Sequence, residues 1–150
     1  MDSVNLLKSL LQRAESERDT AIAVLRQAEA MQAQARAQAQ QLQDYRHDYD
    51  QRWTLRFRQA GARELLDCRH NFGERLDQAI VGQSTNADQL GNRVKLARDA
   101  LLAREQRVAA VGKLIERRLH ELQRVAQRRE QRADDEIAQR QHQRRLTSSN

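Results

Sequence analysis

Residues 7–49 read LKSLLQRAESERDTAIAVLRQAEAMQAQARAQAQQLQDYRHDY and keep a seven-residue repeat. One row of the repeat consists of Leu7, Ala14, Ala21, Ala28, Ala35, Leu42 and Tyr49. The second row consists of Leu10, Val24, Met31 and Tyr45, with the polar residues Glu17 and Gln38 between them. Apolar positions every 3.5 residues over this length indicate one strand of a coiled coil. We therefore predict a helix over residues 3–58 with a thin, alanine-lined seam.

A second repeat of the same period follows in the other half of the chain. Its first row contains Ala87, Val94, Leu101, Val108, Ile115 and Leu122. Its other row contains Leu90, Ala97, Val111 and Val125, and Arg104 and Arg118 interrupt it. This pattern predicts a second helix over 88–143, equal in length to the first, and a frayed tail over 144–150.

The segment between the two repeats, residues 59–87, predicts a tip with a short helix over about 63–81. Residues 82–88 read GQSTNAD and indicate a loop, in which Thr85 and Asp88 have the spacing of a capping box. In an alternative arrangement 63–143 form one helix, which keeps Gly82 inside it at a cost of about 1 kcal/mol. The preferred fold is all-α: a long antiparallel two-helix coiled coil, or helical hairpin, with a short helical tip, forming one domain over 1–150.

Composition excludes most other kinds of protein. The 150 residues include no proline and 5 glycines, and aromatic residues make up 3% of the chain. So few aromatic side chains do not fill the core of a sandwich, a barrel or a doubly wound sheet. The glycines are scattered, the four histidines lie far apart, and Cys68 is the only cysteine. We therefore expect no enzyme activity, no cofactor, no metal site and no disulfide within the chain.

The charge balance favours an anionic partner without identifying it. The chain has 27 Lys and Arg residues against 21 Asp and Glu residues, a net charge of +6. The arginine-rich run 117–145 admits three interpretations: a solvated face, a docking site for an acidic protein, or a nucleic-acid-binding surface. Interleaved acids and the lack of aromatic residues there make nucleic acid the weakest of the three. Since no stretch approaches 18 apolar residues, we expect a cytoplasmic protein that reaches a membrane only through partners.

A stripe in the middle of the chain combines aromatic and aliphatic residues. Gln38, Leu42, Tyr45 and Tyr49 are spaced by 4, 3 and 4 residues, and Phe72, Leu76, Ala79 and Gln83 repeat that spacing. In each of the pairs 38/83, 42/79, 45/76 and 49/72 the two position numbers sum to 121, so both residues are equally far from a turn around Gly61. In an antiparallel hairpin with that turn, the two residues of each pair lie opposite each other. The stripe is either a mutually buried seam or an exposed patch that docks a partner, since tyrosine and tryptophan are favoured interface anchors.

Several segments together carry a resemblance to a known family. They are the opening LLKSLLQRAESERD of 6–19, the stripe from Gln38 to Arg52, KLIERR at 113–118 and RREQRADDE at 128–136. In order and spacing they resemble the FliJ family of flagellar export proteins from bacterial type III secretion systems. The resemblance implies a non-catalytic stalk, similar to the central stalk of rotary ATPases, inside the hexameric export ATPase FliI. It also implies coupling to the export gate FlhA and escort of export chaperones, at the cytoplasmic face of the inner membrane.

The resemblance also implies residue roles. The gate-contacting positions of the family correspond to Gln38, Leu42, Tyr45, Tyr49, Phe72, Leu76 and Ala79, whereas Gln83 stands where the family pattern has histidine. The ends of both arms enter the ATPase, where Arg124, Arg128, Arg129 and Arg132 meet acidic residues. Two alternatives stay open: the equivalent stalk of an injectisome, and an arginine-rich coiled coil that binds nucleic acid.

Overall fold

The computed structural model describes residues 2–60 and 63–149. Two helices account for these residues: α1 spans Asp2–Ala60 and α2 spans Arg63–Ser148. The two helices pack against each other, and no strand occurs in the described ranges. The prediction of an all-α helical hairpin is confirmed. The turn predicted around Gly61 lies outside the described residues.

The predicted tip is not a separate element. Because α2 runs without interruption from Arg63, the short helix over 63–81, the loop over 82–88 and the helix start at 88 were wrong. The alternative of one continuous helix describes this region. A methyl group at Gly82 would meet nothing within 4 Å, so this glycine marks no turn or close approach. The Thr85 hydroxyl donates to the Val81 carbonyl at 2.9 Å, one turn earlier, instead of capping a new helix.

The helices also differ in length from the prediction. α1 has 59 residues and α2 has 86, so the expectation of equal arms was wrong. The expected frayed tail was also wrong up to Ser148, where α2 ends. Hydroxyl groups of Thr147 and Ser148 donate to the carbonyls of Gln143 and Arg145 at 3.1 Å in each case. The Arg145 carbonyl is one of the last four of α2, which have no partner within the helix, and the Ser148 hydroxyl satisfies it.

Buried and half-buried residues at alternating spacings of three and four define the seam of each helix. A few other residues beside the seam are also half-buried: Glu15, Glu17, Ile22, Asp50, Gly91 and Gly112. On α1 the seam is Val4, Leu7, Leu11, Ala14, Arg18, Ala21, Leu25, Ala28, Gln32, Ala35, Ala39, Leu42, Arg46, Tyr49 and Trp53. On α2 the seam positions run from Arg69 to Leu122 with the same heptad spacing. Both rows that the sequence predicted for the second helix occupy these seam positions up to Leu122. On α1 the predicted first row is correct, but the second row (Leu10, Val24, Met31 and Tyr45) is exposed and was therefore wrong.

Long polar side chains explain the displaced row. The true second row of α1 includes Arg18, Gln32 and Arg46, all of them half-buried. Arginine and glutamine can bury their aliphatic stems at a seam while their polar ends reach solvent. A pattern of apolar residues does not include these positions. It therefore predicts the row one residue earlier in the chain as the second row of the seam.

Contacts group the chain into two units, each of which contains segments of both helices. One unit consists of Met1–Glu17 with Glu105–Asn150, and the other of Arg18–Arg104. In the first unit Arg118 donates to the Ser3 hydroxyl at 3.0 Å, and Val4 and Ala14 are buried. Among the described residues of the second unit, those that are buried are Ala35, Gly73, Leu76, Leu90, Val94 and Ala97. The expectation that 1–150 form one domain stays a prediction.

Candidate functional site

Four aromatic rings form a cluster in the second unit. Tyr49 lies at its centre, with ring centroids 4.9 Å from Phe72 and 5.9 Å from Trp53. The ring of Tyr45 approaches Phe72 edge-on, with centroids 6.5 Å apart. These separations lie in the range where tilted and edge-to-face aromatic pairs attract each other. The cluster therefore joins α1 to α2 and fixes the orientation of each ring.

The predicted stripe divides into a buried part and an exposed part. Leu76 is buried, and Leu42 and Tyr49 are half-buried in the seam. The remaining predicted gate residues, Gln38, Tyr45, Phe72 and Ala79, are exposed, with Tyr45 at 52% and Phe72 at 42%. Leu76 is thus no part of the exposed surface. The stripe crosses from the seam to the adjacent row, so one part of it is buried and another part is exposed; that the exposed part docks a partner stays a prediction.

The register of the stripe agrees with the pairing predicted from the sequence. The side-chain amide of Gln83 donates to the Oε1 atom of Gln38 at 3.0 Å, which joins the predicted pair 38/83. The contact between Tyr49 and Phe72 joins the predicted pair 49/72. Gln83, where the family pattern has histidine, is therefore a neighbour of the exposed Gln38.

An ion-pair network lies beside the aromatic cluster. The Nε atom of Arg46 is 3.3 Å from Asp77 and 3.6 Å from Asp50, so this one side chain links the two helices. The Arg46 guanidinium passes directly over Gly73, in the space that a Cβ atom would occupy. Since these groups are partly exposed, each ion pair contributes at most about 1 kcal/mol. Arg46 therefore adds a second contact between the helices to that between Tyr49 and Phe72.

The predicted ATPase-contacting arginines lie on the last part of α2. Ser3, next to the start of α1, contacts Arg118, and α2 continues for another 30 residues to Ser148. All described residues from 123 onward are exposed. We call 123–148 the α2 extension. Arg124, Arg128, Arg129 and Arg132 all belong to it.

Charged and polar residues replace most of the apolar ones where the seam loses its partner helix. Continued past Leu122, the heptad positions are Val125, Arg129, Arg132, Glu136, Gln139, Gln143 and Leu146. Two of the predicted arginines, Arg129 and Arg132, thus occupy positions that are apolar in most of the paired region. Within the described ranges, no ion pair involves any of the four predicted arginines. Their guanidinium groups are therefore available to carboxylates of another molecule.

Three further features of the described ranges bear on catalysis and membrane insertion. No group of three or more His, Cys, Asp or Glu residues there could hold a metal ion. Cys68 is exposed, with a free thiol. Neither helix contains an apolar window long enough to cross a bilayer.

The sequence did not predict one surface, an apolar groove, because two of its residues were assigned to the seam. Val24 and Met31 line an apolar groove together with Leu96 of α2. The sequence does contain an indication of this groove. Leu11 and Leu25 belong to an alternative second row of α1, one residue further along the chain than Leu10 and Val24. Choosing that row would have left Val24 and Met31 without a seam partner.

Comparisons with known proteins identify the family. No curated protein and no solved structure gives a significant match to this chain. The family model described as "Flagellar FliJ protein" matches residues 4–147, which is nearly the whole sequence and includes most of both helices. The chain therefore belongs to the flagellar FliJ protein family and is a component of the flagellar protein export apparatus.

Proposed function

We propose that this protein is a non-catalytic coupling component of flagellar export that docks on the export gate FlhA through its exposed aromatic patch. We define the patch as Tyr45 and Phe72 with their exposed neighbours Gln38 and Ala79. The observation that carries the proposal is the exposure of two large aromatic side chains, 52% for Tyr45 and 42% for Phe72. Aromatic residues that are exposed in the free protein are frequent anchors of protein interfaces.

The patch is held in place before any partner binds. Phe72 contacts both Tyr45 and Tyr49, and Tyr49 is anchored in the seam next to Trp53. Leu76, one helical turn from Phe72, is 7% exposed and fixes α2 beneath the patch. A surface that is already ordered loses little conformational entropy on binding, so more of the contact energy contributes to affinity. In this proposal the seam residues Leu42, Tyr49 and Leu76 position the patch.

We further propose that the α2 extension contacts the hexameric export ATPase FliI through Arg124, Arg128, Arg129 and Arg132. These side chains are exposed, and two of them lie on the continued seam face. Arginine forms forked hydrogen bonds with carboxylates, which suits a contact with acidic residues of the ATPase ring. The contact would place the protein at the cytoplasmic face of the export apparatus through its partners. Escort of export chaperones is the third proposed role, and we assign no residues to it.

The gate proposal is tested by calorimetric titration of the full chain with the cytoplasmic domain of FlhA. We expect Tyr45→Ala and Phe72→Ala each to weaken binding at least tenfold, which is about 1.4 kcal/mol. The matched control is Val81→Ala, which truncates another exposed apolar side chain of α2, 66% exposed. This control should leave the affinity unchanged.

Circular dichroism shows whether a variant binds FlhA more weakly because it has lost a contact or because it has lost helical structure. Because Tyr45 is mostly exposed, Tyr45→Ala should keep the helical signal and the unfolding midpoint close to those of the natural chain. The gate proposal is wrong if Tyr45→Ala and Phe72→Ala bind FlhA as tightly as the Val81→Ala control. It is also wrong if they weaken binding only in proportion to a loss of helix.

A further inference from the structure

An apolar groove lies between α1 and α2 in the unit Arg18–Arg104. It has a volume of about 420 Å³, and its floor contains Leu90 and Ala97, which are 7% and 8% exposed. Its walls are more open: Val24 is 53%, Met31 42% and Leu96 69% exposed. Gln27 and Arg93 stand at its edge. The groove thus presents three large apolar side chains to solvent above a closed floor.

The side of the hairpin that contains this groove is almost free of charge. On α1 this side consists of Thr20, Val24, Gln27, Met31, Gln34, Gln38, Gln41 and Tyr45. On α2 it consists of Ala79, Gly82, Asn86, Gln89, Arg93, Leu96 and Ala100. Each set follows heptad spacing from a groove residue, so its members share one side of their helix. Arg93 is the only charged residue among them.

The opposite side of the same region has a different character. There α1 carries Arg26, Glu29 and Arg36, and α2 carries Asp88, Lys95 and Arg98. Glu29 and Arg98 form an ion pair of 3.7 Å, and a hollow on this side is lined by the charged residues Arg36, Asp88, Lys95 and Arg98 together with five uncharged residues. In a chain in which 32% of the residues are charged, depletion of charge on one side marks a surface that is covered in an assembly.

We propose that this groove binds one amphipathic α-helix of a partner protein, whose apolar face carries a carboxylate opposite Arg93. The seven-residue spacing of Val24 and Met31 suits a third helix that lies along the hairpin, with its apolar residues spaced as in a coiled coil. Such a helix would cover Met31 and Leu96 and add a third strand to the seam. Gln38, Tyr45 and Ala79 of the patch lie on the same uncharged side, so the proposal rests on groove residues outside the patch, namely Met31, Leu96 and Arg93.

The charge of Arg93 favours a partner protein over a second copy of this chain as the molecule that binds in the groove. Within the described ranges, no ion pair involves Arg93, and the uncharged side offers no acid that could meet it. A symmetric dimer through this face would bring the Arg93 residues of two copies into one low-charge interface without a counter-ion. A partner helix with a carboxylate at that point provides the missing charge and a charge-assisted hydrogen bond.

The test uses the full chain and two synthetic amphipathic peptides of about three heptads. The peptides are identical except for one residue beside the apolar face, which is Glu in one and Lys in the other. The chain carries Cys68→Ser and Gln27→Cys, with an environment-sensitive fluorophore on the new thiol at the edge of the groove. We expect a saturable blue shift with the Glu peptide and at least fivefold weaker binding of the Lys peptide. Arg93→Glu should reverse this preference.

Two matched controls make the result specific to the groove. Lys95→Glu makes the same charge change on the opposite side of α2 and should leave the preference unchanged. Met31→Glu should abolish binding of both peptides, whereas Ala33→Glu, which adds the same charge on the other side of α1, should not. Circular dichroism of both glutamate variants checks that the helices persist.

Three results would overturn the proposal. The first is that neither peptide binds, and the second is that Arg93→Glu leaves the order of the two affinities as it was. The third is that sedimentation shows a dimer of the natural chain that Met31→Glu dissociates, since a second copy would then be the occupant.

Discussion

Gly73 shows how a single missing side chain determines the position of a charged group. The Arg46 guanidinium lies where a Cβ atom at position 73 would stand, and from there it reaches Asp50 and Asp77. Gly82 has no such neighbour, since nothing lies within 4 Å of the corresponding position. Two glycines of one helix therefore have different roles, although the sequence presents them alike.

This difference leads to a prediction about stability. Replacing glycine by alanine inside a helix stabilises it by about 1 kcal/mol, so Gly82→Ala should raise the free energy of unfolding by that amount. Gly73→Ala should give little or no gain, because the displaced guanidinium loses ion pairs worth at most about 1 kcal/mol. Urea denaturation followed by circular dichroism measures both changes.

A background variant provides the control for the glycine prediction. In a chain that carries Arg46→Ala, the Gly73→Ala change should stabilise the helix more than it does in the natural background, because the three atoms closest to the new methyl group all belong to Arg46. Equal stabilisation by the two glycine changes in the natural background would show that Arg46 does not depend on Gly73.

At the candidate site, the sequence predicted which residues pair across the helices but not which of them are exposed. The pairings 38/83 and 49/72 followed from spacing alone, and contacts in the structure join both pairs. The exposure of individual residues did not follow, because Arg18, Gln32 and Arg46 occupy seam positions that a search for apolar residues passes over. That error of one residue assigned Val24, Met31 and Tyr45 to the seam, although they are exposed.

The two helices differ in how closely the sequence predicted their bounds. The sequence predicted two helices of the correct type, and α1 was placed within two residues of its observed ends. The break in the second helix was wrong because Gly82 and the polar residues after it resemble a loop. Seam packing by Ile80, Gln83 and Ala87 keeps this region helical. Such packing outweighs a propensity cost of about 1 kcal/mol.

The α2 extension gives a prediction for the ATPase contact. Replacing Arg124, Arg128, Arg129 and Arg132 together by glutamine should keep the helix, because glutamine has a similar helix propensity and these side chains are exposed. The unfolding midpoint should shift by no more than a few degrees. Stimulation of purified FliI ATPase activity by the variant should fall at least tenfold, since the carboxylate partners would lose their counter-ions.

The matched control for this variant neutralises four other arginines of α2. Arg117, Arg140, Arg144 and Arg145 are also exposed, and their replacement by glutamine changes the net charge by the same amount. This control should keep at least half of the natural stimulation. An equal loss in both quadruple variants would show that total charge, and not the predicted positions, determines the contact.

At the scale of the whole molecule, the antiparallel pairing of α1 with α2 is the feature on which every proposed surface depends. In the unit Arg18–Arg104 the cross-helix contacts Arg98–Glu29, Gln83–Gln38 and Phe72–Tyr49 run in opposite directions along the two helices. In the unit Met1–Glu17 with Glu105–Asn150, the contacts Arg118–Ser3 and Arg107–Glu17 do the same.

Cysteine cross-linking tests this register in solution. In a Cys68→Ser background, Gln38→Cys with Gln83→Cys should be joined within one chain by a short thiol-reactive bifunctional cross-linker, since the native side chains are in hydrogen-bond contact at 3.0 Å. The altered mobility on a non-reducing gel measures the product. The control pair, Gln38→Cys with Ser84→Cys, moves one cysteine to the next residue of α2, which points away from the seam. Equal cross-linking of the two pairs would contradict the register.

The single-helix character of the α2 extension has a consequence for how it folds. Starting a helix from an unfolded chain is unfavourable, whereas adding residues to an existing helix is nearly neutral for good helix formers. Residues up to Leu122 supply the first turns through their packing on α1, so 123–148 need only propagate from an end that is already ordered. Separated from the hairpin, the same 26 residues would have to meet the nucleation cost alone. Melting of the paired region should therefore unwind the arginine-bearing end as well, even though no partner helix touches it.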